Sequence, residues 1–585
     1  RHSHRKKKPS MVYNDLRLAG KTTDAVIVAE GVEFKVHKLI LCDFAQYFRN
    51  LFTNVHSSDQ EVFIIPGISA EILQIIIEYV YTNSLNVTEN NVLELLLASN
   101  QLGLYKVVHA CCVYVEGLIS PENCIGLWSY TATVCRQPVL NFKIYQYILQ
   151  HFELVALCNE FLHLSAEELA KIIEEDNLVV RKESLVFEAI LRWISHYPAN
   201  RKTHFSALLS KVRLALLDSQ YIKDNVKPSI MLQGQLLYLL SVATRTKIVQ
   251  YYFGHGFSGI SNPCARPRLP TAILLAFGGW SGISPTNGIE AYDVRANLWL
   301  NVTDRSQPPR AYQGTALLNG FIYSIGGFNK LEYFNSVCKF DPITRNWQEV
   351  APMHYRRCYV SVTVLNSCIY AMGGYNGITR LRSAEYYRPE INQWSLIAAM
   401  NEQRSDAHCT TLNNKIYICG GFNGHSSLQT AECYSLQTGQ WTMITPMIRR
   451  RSGIRVIAHA GLLYAVGGFD GSRRLRSVEA FNPDTYLWRD VASMIRRRSN
   501  FGIGVVEGRL YVAGGFNGLT TCNNVECYDA DTNRWSEVCS MGISRSALSC
   551  CVITGLPNMA DYVIPRCHLP LLPVEDSQKP IKKIG

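Results

Sequence analysis

The 585-residue chain lacks several features that define particular classes of protein. Only 18% of its residues are charged while 47% are hydrophobic, which fits a folded protein and excludes global disorder. No apolar run approaches the roughly 20 residues that a membrane helix needs, and the longest lies near Leu236 to Ala243. No secretory signal peptide is visible either. We therefore expect a cytoplasmic protein without a membrane partner.

The 19 cysteines lack the spacing of a metal site or of a disulfide framework. None forms a Cys-x-x-Cys pair or joins histidines at zinc-finger spacing, so we interpret them as reduced thiols. Nucleophile elbows, paired catalytic carboxylates and metal-spaced histidines are missing as well. A Gly-x-Gly-x-x-Gly does occur at Gly254, Gly256 and Gly259, but Asn262-Pro263 follows and no strand-to-helix passage surrounds it, which indicates a linker. We expect no catalysis, no cofactor and no metal.

The net charge of +11 is modest for this length. Part of it lies in the opening run from Arg1 to Lys8. A solvated tail is the plainer interpretation, and a nuclear address or a nucleic-acid arm is the alternative. We expect no nucleic-acid partner.

What the chain does have is a Gly-Gly pair that recurs six times. Successive pairs lie 48, 47, 47, 47 and 47 residues apart, and a tryptophan follows the second glycine by 20 residues every time. A period near 50 with this signature is typical of β-propeller blades, so we predict an all-β, six-bladed propeller over residues 271–556. The glycine pairs begin at Gly278, Gly326, Gly373, Gly420, Gly467 and Gly514, and the tryptophans are Trp299, Trp347, Trp394, Trp441, Trp488 and Trp535.

The first repeat lacks its own first strand. It enters on its second strand, from Thr271 to Phe277, with only a short Arg/Pro-rich segment before it. After the last tryptophan, the sequence from Arg545 to Ile553 matches the first strands of other repeats, such as Arg357 to Leu365. We therefore predict that the C-terminal strand completes the first blade and closes the ring.

Two kinds of loop are predicted to share one face of the propeller, because alternate connections of an antiparallel blade emerge on the same side. Aromatic residues ringed by arginines are typical of protein-binding surfaces, and the charge favours an acidic or phosphorylated protein substrate. The predicted face consists of Trp280, Phe328, Tyr375, Phe422, Phe469 and Phe516, of Arg310, Arg357, Arg404, Arg451, Arg498 and Arg545, and of Ser405, Ser452, Ser499 and Ser546. In the alternative interpretation the arginines serve only the fold, paired with the recurring Glu290, Glu385, Glu432, Glu479 and Glu526.

The N-terminal half has a different pattern. Residues 21–118 begin with two short strands and continue with helical spacing, which predicts a small α/β domain. Residues 119–250 show one helical pattern after another, which predicts an all-α segment, although the usual helical pattern is missing from about residue 227 to 252.

These segments resemble a known family. Asp24-Ala-Val-Ile and Phe34-Lys-Val-His-Lys resemble the BTB domain, while Asn123-Cys-Ile-Gly-Leu and the run from Glu183 to Trp193 resemble the BACK domain. Followed by six kelch repeats, this order is similar to the kelch-like family over nearly the whole chain. The predicted arrangement is a basic tail with the start of the first helix (1–20), a BTB domain (21–118), a BACK domain (119–250), a linker (251–270), the kelch propeller (271–556) and a C-terminal tail (557–585).

The resemblance implies a non-catalytic adaptor. Members of the family form homodimers through the BTB domain, dock cullin-3 through BTB and BACK, and hold a substrate on the propeller for ubiquitination by a cullin-3 RING ligase. The adaptor supplies proximity while the chemistry happens elsewhere. The alternatives are a scaffold that binds actin or another cytoskeletal filament, which the charge of +11 suits, and, more distantly, a copper oxidase.

The resemblance also implies sites in the N-terminal half. Asp24 and Lys38 match the charged pair near the family's dimer interface, and a structural role is the alternative. His37 is interpreted as a structural turn residue. Where many members have an apolar-x-Glu triplet that contacts the cullin, this chain has Val55-His56-Ser57. Ser57 in place of the glutamate is expected to weaken docking without forbidding it.

Overall fold

The structure is a computed structural model that describes residues 9–53, 61–226, 266–303 and 307–566, together with residue 569. The chain divides into two compact units, one of residues 1–172 and 188–201 and the other of residues 173–187 and 202–585. The predicted glycine motif at 254–259 and the stretch 227–252 lie outside the described residues. No helix within the described ranges is long and apolar enough to cross a membrane.

The first unit begins with a three-stranded sheet of order β2-β1-β3, in which β1 (Ala25–Ala29) pairs antiparallel with β2 (Val32–Val36) and parallel with β3 (Val62–Ile64). Helices dominate the rest, as predicted. The Ser69 hydroxyl caps the helix that follows β3, and that helix ends at Asn83, which has a left-handed backbone. The helices of residues 1–201 are α1 (Pro9–Leu18), α2 (Lys38–Phe44), α3 (Gln46–Thr53), α4 (Ala70–Thr82), α5 (Val92–Leu102), α6 (Tyr105–Leu118), α7 (Cys124–Thr133), α8 (Pro138–Gln150), α9 (Phe152–Val155), a 3₁₀ turn (Glu160–His163), α10 (Ala166–Glu174), α11 (Ser184–His196) and α12 (Pro198–Arg201).

The second unit contains short helices and six four-stranded antiparallel sheets, called blades 1 to 6 below. The helical part comprises 3₁₀ turns (Lys202–His204 and Leu214–Leu216), α13 (Phe205–Leu209), α14 (Ser219–Tyr221) and a π turn (Ile222–Val226). The strands of blade 1 are β29 (Ser549–Thr554), β4 (Ala272–Phe277), β7 (Ile289–Asp293) and β8 (Leu298–Asn301); of blade 2, β9 (Gly314–Leu318), β10 (Phe321–Ile325), β11 (Val337–Asp341) and β12 (Asn346–Val350); of blade 3, β13 (Ser361–Leu365), β14 (Cys368–Met372), β15 (Ala384–Arg388) and β16 (Gln393–Ile397); of blade 4, β17 (His408–Leu412), β18 (Lys415–Cys419), β19 (Ala431–Ser435) and β20 (Gln440–Ile444); of blade 5, β21 (Arg455–His459), β22 (Leu462–Val466), β23 (Val478–Asn482) and β24 (Leu487–Val491); and of blade 6, β25 (Gly502–Val506), β26 (Arg509–Ala513), β27 (Val525–Asp529) and β28 (Arg534–Val538). A small ribbon, β5 (Trp280–Ser281) and β6 (Ser284–Pro285), extends from blade 1.

The C-terminal strand completes blade 1, as predicted. β29 pairs antiparallel with β4, with Cys551 opposite Leu275. The first strands of the blades contact one another in the order β9, β13, β17, β21, β25, β29, and β29 also contacts β9. The predicted fold class is therefore confirmed, and the last strand joins the two ends of the repeat array.

A ring of backbone hydrogen bonds links all six blades. In each blade, the residue two positions after the repeated arginine donates its N–H to the equivalent carbonyl of a neighbouring blade, over 2.7–3.1 Å. All six residues have a positive backbone φ of 53–58°, which residues other than glycine rarely adopt. Because the sixth bond returns to the first residue, the six bonds form a closed ring. The ring consists of Tyr312, Tyr359, Asp406, Gly453, Asn500 and Ala547.

The repeated glycines and tryptophans are structural. Gly373 and Gly374 both have a positive φ, and a Cβ added to Gly373 would lie 2.2 Å from the Arg404 carbonyl oxygen. The ring nitrogen of Trp441 donates to the Ala398 carbonyl oxygen of the preceding blade at 2.9 Å. The glycines thus allow close backbone approach. Five of the six tryptophans make this bond to a neighbouring blade: Trp299, Trp394, Trp441, Trp488 and Trp535.

The structure describes residues 266–270 of the predicted linker and 557–566 of the predicted tail, and both segments pack against the rest of the second unit. Arg268 is fully buried and forms an ion pair with Glu183 at 2.7 Å. Past the last strand, a 3₁₀ turn (Met559–Tyr562) packs into the propeller core, and Arg566 pairs with Asp293 in a buried site at 2.5 Å. The first part of the predicted tail therefore belongs to the propeller, because its apolar side chains cover blades 1 and 2.

Candidate functional site

The two predicted kinds of loop meet on one face of the propeller. In blade 4, Ser405 of the loop after a tryptophan forms a backbone bridge with Phe422 of the loop after the glycines, and the other blades repeat this contact. The aromatic ring of each blade is half-buried there. We call this surface the mouth of the propeller.

The six repeated arginines do not line the mouth, so this part of the predicted binding face is wrong. Their side chains are buried, and five of them pair with the recurring glutamates over 2.6–3.0 Å. The physical reason is that each guanidinium lies inside its blade, where it also donates to backbone carbonyls that the sheet leaves free. The buried residues are Arg310, Arg357, Arg404, Arg451, Arg498 and Arg545.

Arg451 shows how this arrangement works. Its guanidinium donates to Glu479 and to the carbonyl oxygens of Gly467 at 2.7 Å and Ser477 at 2.9 Å. Glu479 in turn accepts the backbone N–H of Ile448 at 2.6 Å. Burial lowers the pKa of Arg451, and the neighbouring carboxylate offsets part of this effect. The Arg451–Glu479 pair therefore fixes a loop to a sheet within its blade.

Blade 2 departs from this pattern, because Cys338 takes the place of the glutamate. Arg310 is buried there and donates to the Ser336 hydroxyl at 2.8 Å and to the Cys338 sulfur at 3.5 Å. Burial lowers the pKa of Arg310. A cavity of about 30 Å³ lies beside these groups.

Cys338→Glu is expected to stabilise the propeller by about 1–3 kcal/mol, because it supplies a carboxylate to a guanidinium that is already buried. Thermal unfolding of the full chain measures the effect. Cys338→Ser is the matched control and should change the midpoint little. An unchanged or lower midpoint for the glutamate variant would show that the site cannot hold an ion pair.

The repeated serines are not exposed either, which corrects a second part of the predicted face. Ser405, Ser452, Ser499 and Ser546 are all buried. The hydroxyl of Ser405 donates to the Phe422 carbonyl oxygen at 3.1 Å, so it serves the loop contact itself. Ser546 alone of the four borders the cavity described below.

Two arginines that the sequence analysis missed lie at the mouth. The guanidinium of Arg380 lies 4.1 Å from the ring centre of Tyr375 and 5.5 Å from that of Phe422. Arg474 lies 4.1 Å from the ring centre of Phe469 and 5.3 Å from that of Phe516. Each arginine is thus placed between the aromatic residues of its own blade and the next one, within reach of a cation–π interaction. The remaining predicted aromatics, Trp280 and Phe328, contact Lys330 and Tyr333.

Neither of these arginines donates a hydrogen bond or forms an ion pair within the described part of the chain, in contrast to the repeated arginines. Burial lowers the pKa of Arg474, whose Nε is buried and without a partner among the described residues. The sequence signal was an arginine seven residues after the first glycine of a pair, which occurs in blades 3 and 5.

The charge at the mouth is positive on balance. Asp406 of the backbone ring accepts from the Asn500 side chain at 2.6 Å, and burial raises the pKa of its carboxyl. Arg380, Arg455 and Arg474 all act on this one carboxyl. Arg455 is oriented across the centre of the ring, where it donates to the Leu548 carbonyl oxygen of blade 1 at 3.1 Å. One carboxylate among three guanidiniums leaves an excess of positive charge.

A cavity of about 510 Å³ opens at the mouth. Its wall combines aromatic rings with Arg474 and Asn500, so it offers apolar contact beside a cation and hydrogen-bonding groups. Trp280, Phe328, Phe516, Tyr312 and Tyr359 supply the rings.

The predicted residues of the N-terminal half are described in part. The Asp24 carboxylate accepts the backbone N–H of Lys38 at 2.7 Å, which caps the start of α2. His37 is buried, with its ring 2.9 Å from the Tyr81 hydroxyl, which fits the predicted structural role. The dimer contact of Asp24 and Lys38 stays a prediction. Val55 and Ser57, the predicted cullin contact, lie outside the described residues.

The cysteines of the described residues are free thiols, and burial protects several of them from ionisation. Within the described ranges no three His, Cys, Asp or Glu side chains cluster as metal ligands would, and the seventeen cysteines seen there are unpaired. Burial raises the pKa of Cys550 and of Cys551 to about 12, so these thiols stay protonated at neutral pH.

Comparison with known families covers most of the chain. Residues 13–117 match the BTB/POZ domain, and residues 124–227 match BACK, described as BTB And C-terminal Kelch. The Kelch motif matches residues 273–306 and 309–354, and the KLHDC2/KLHL20/DRC7 Kelch-repeats domain matches residues 359–560.

Curated proteins give the same result. Kelch-like protein 2 of Homo sapiens is 34% identical over 331 residues, which are 55% of this chain and 54% of that protein. Kelch-like protein 3 of Bos taurus is 32% identical over 333 residues, 54% of each chain. The chain thus spans about half the length of the curated relatives it matches. Because BTB, BACK and kelch matches follow one another along one chain whose last strand completes its first blade, the protein belongs to the BTB-BACK-kelch family of kelch-like proteins.

Proposed function

We propose that the protein is a substrate adaptor of a cullin-3 RING ubiquitin ligase, and that the propeller mouth binds an acidic or phosphorylated segment of the substrate. The observation that carries the proposal is the pair of arginines at the mouth, Arg380 and Arg474. Each is held between aromatic rings and makes no hydrogen bond or ion pair to the described residues, so its donors are available to a ligand.

A carboxylate or phosphate fits these donors because a guanidinium presents paired N–H groups in one plane. Stacking on aromatic rings fixes that plane and reduces the rotamer entropy lost on binding. Asp406 lies deeper in the mouth than the two arginines and would repel a ligand carboxylate there. Ligands whose acidic groups stop at Arg380 and Arg474 are therefore favoured.

Replacing both arginines, Arg380→Ala with Arg474→Ala, is expected to weaken acidic-peptide binding at least about tenfold, since charge-assisted hydrogen bonds contribute about 1.5–3 kcal/mol each. Anisotropy of a fluorescein-labelled hexaglutamate peptide at low salt measures this on the full chain. Arg509→Ala is the matched control, because Arg509 is 58% exposed, lies 3.7 Å from the Asp529 carboxylate and stands at the end of β26 that is away from the glycine pair. Equal affinity for the double variant and the control would contradict the proposed site.

The N-terminal half is proposed to dimerise, with Asp24 and Lys38 near the interface, and to dock cullin-3 around Val55 and Ser57. A dimer would present two propellers to one substrate and gain avidity. The proposal places the protein in the cytoplasm. A finer resemblance, to kelch-like protein 10 in Gly278-Gly-Trp-Ser-Gly and Arg356 to Val364, remains a prediction and would point to male germ cells.

Calorimetric titration of the full chain with the N-terminal domain of cullin-3 tests the docking step. We expect sub-micromolar affinity, lost or strongly reduced by Val55→Asp, because a charge would be buried in an apolar contact. Asp59→Asn is the control, because it also changes the charge by one unit, four residues after Val55. It is expected to leave the affinity for cullin-3 nearly unchanged. Absence of binding by a folded chain would remove the adaptor proposal and favour the cytoskeletal scaffold.

A further inference from the structure

The loop after each glycine pair has a tip residue, five positions after the first glycine. In four blades this tip is aliphatic and almost fully exposed: 85% for Ile283, 92% for Leu331, 85% for Ile378 and 92% for Leu519. A single exposed aliphatic residue needs no explanation, but the same position in four repeats is a surface feature. The remaining tips are His425 in blade 4 and Ser472 in blade 5.

These tips are held in place rather than loose. The Asn329 side-chain oxygen accepts the backbone N–H of Leu331 at 3.0 Å, and Asn517 does the same for Leu519 at 2.8 Å. Asn376 holds Ile378 in the same way at 2.8 Å. Ile283 lies between the paired strands β5 and β6. Because the backbone at these tips is already held, less backbone freedom is lost when a partner covers them.

The aliphatic tips occupy consecutive blades. Blades 6, 1, 2 and 3 follow one another around the ring, because β29 of blade 1 contacts both β25 of blade 6 and β9 of blade 2. The four tips therefore form one continuous arc, which we call the apolar arc. Leu519 also borders the 510 Å³ cavity together with Arg474, so the arc reaches the proposed acid-binding site.

The other side of the mouth is basic. Arg450 is exposed and donates to the Ser427 carbonyl oxygen at 3.2 Å, which places it beside the tip of blade 4. Arg497 is exposed at the equivalent position 47 residues later, and Arg473 follows the tip of blade 5 with 72% of its side chain exposed. We call these three residues the basic arc. In the apolar arc, Leu331 has charges of both signs beside it, because Glu332 faces Lys330 and the exposed Arg356, which donates to the Tyr333 carbonyl oxygen at 3.3 Å.

We propose that the segment recognised by the mouth is an amphipathic acidic segment of a partner protein, with apolar side chains on the apolar arc and carboxylates on the basic arc. This inference rests on the proposed function and adds the apolar half of the recognised sequence. Charge complementarity selects an acidic partner, and the separation of the two arcs requires that acidic and apolar side chains occupy different edges of it.

Selection of a displayed library of random 16-residue peptides on the full chain tests the inference. The unmodified chain is expected to select peptides enriched in both Asp/Glu and Leu/Ile/Met/Phe. The tip variant Ile283→Ser, Leu331→Ser, Leu519→Ser should keep the acidic enrichment and lose the apolar one, with at least a tenfold weaker affinity for a selected peptide measured by anisotropy. The arc variant Arg450→Ser, Arg473→Ser, Arg497→Ser should keep the apolar enrichment and reduce the acidic enrichment to what Arg380 and Arg474 support. All six side chains are exposed, and circular dichroism confirms that both variants fold.

The outcomes separate this inference from the function on which it rests. Acidic enrichment without apolar enrichment, or a tip variant that selects the same peptides as the unmodified chain, overturns the amphipathic segment and leaves the acid-binding mouth standing. Two results together overturn both the inference and the acid-binding mouth: no acidic enrichment with the unmodified chain or either variant, and no effect of Arg380→Ala and Arg474→Ala on acidic-peptide binding. Sedimentation of the chain with phosphatidylserine vesicles, abolished in the tip variant, would assign the two arcs to a membrane surface and also overturn the inference.

Discussion

Arg451→Ala is expected to lower the free energy of unfolding of the propeller by about 3–5 kcal/mol, the cost of leaving one partner of a buried ion pair alone. Both Arg451 and Glu479 are fully buried, and their side-chain nitrogen and oxygen lie 2.8 Å apart. The substitution leaves the buried Glu479 carboxylate without its buried guanidinium, and the carbonyl oxygens of Gly467 and Ser477 without that side-chain donor. Urea unfolding followed by tryptophan fluorescence measures the change.

The neighbouring residue supplies the control. Arg450→Ala removes an equal charge one position earlier, from an exposed side chain, and should change the stability by less than about 0.5 kcal/mol. If the two variants unfold at the same urea concentration, the repeated arginines do not stabilise the blades. The binding role that the sequence predicts for them would then be favoured again.

A chain that ends at Ser544 is expected to lack a cooperatively folded propeller. It loses β29, which pairs with β4 over six residues, and it loses Arg545, which is paired with Glu290 in blade 1 at 2.7 Å. Blade 1 would then have three strands, and β4 would present an open apolar edge. Because every blade packs on two others, the loss spreads beyond blade 1.

Size-exclusion chromatography and thermal unfolding followed by circular dichroism test this result. A chain that ends at residue 569 keeps β29 and the packed 3₁₀ turn, and it is expected to unfold like the full chain. A truncation at Ser544 that stays monomeric with an unchanged midpoint would contradict the closing role of the last strand.

The sequence was most informative where it repeats. The spacing of glycine pairs and tryptophans predicts six blades, and the match of Arg545–Ile553 to other first strands predicts how the array is completed. The same regularity misled the choice of binding arginines. Whether a loop arginine points into its blade or into solvent depends on three-dimensional packing. The partner glutamates lie far away in chain order, 28 residues for Arg357 and Glu385 and 255 residues for Arg545 and Glu290.

The candidate site lies where the repeats differ. Arginine follows the glycines at position 380 and position 474, while Pro285, Tyr333, Ser427 and Thr521 stand there in the other blades. Likewise, four tips are aliphatic and two are polar. A position common to all blades supports the common fold, whereas a position that varies gives each blade its own surface. No periodicity marks such positions, so the arrangement of the blades was needed to bring them together.

Ubiquitin transfer in a reconstituted reaction tests the central claim most directly. The mixture contains cullin-3 with its RING subunit, the activating and conjugating enzymes, ubiquitin, the full chain, and a library-selected peptide extended by one lysine. We predict modification of the peptide only when the chain is present, and its loss with Arg380→Ala and Arg474→Ala. A chain that binds both the peptide and cullin-3 but leaves the peptide unmodified would contradict the adaptor account.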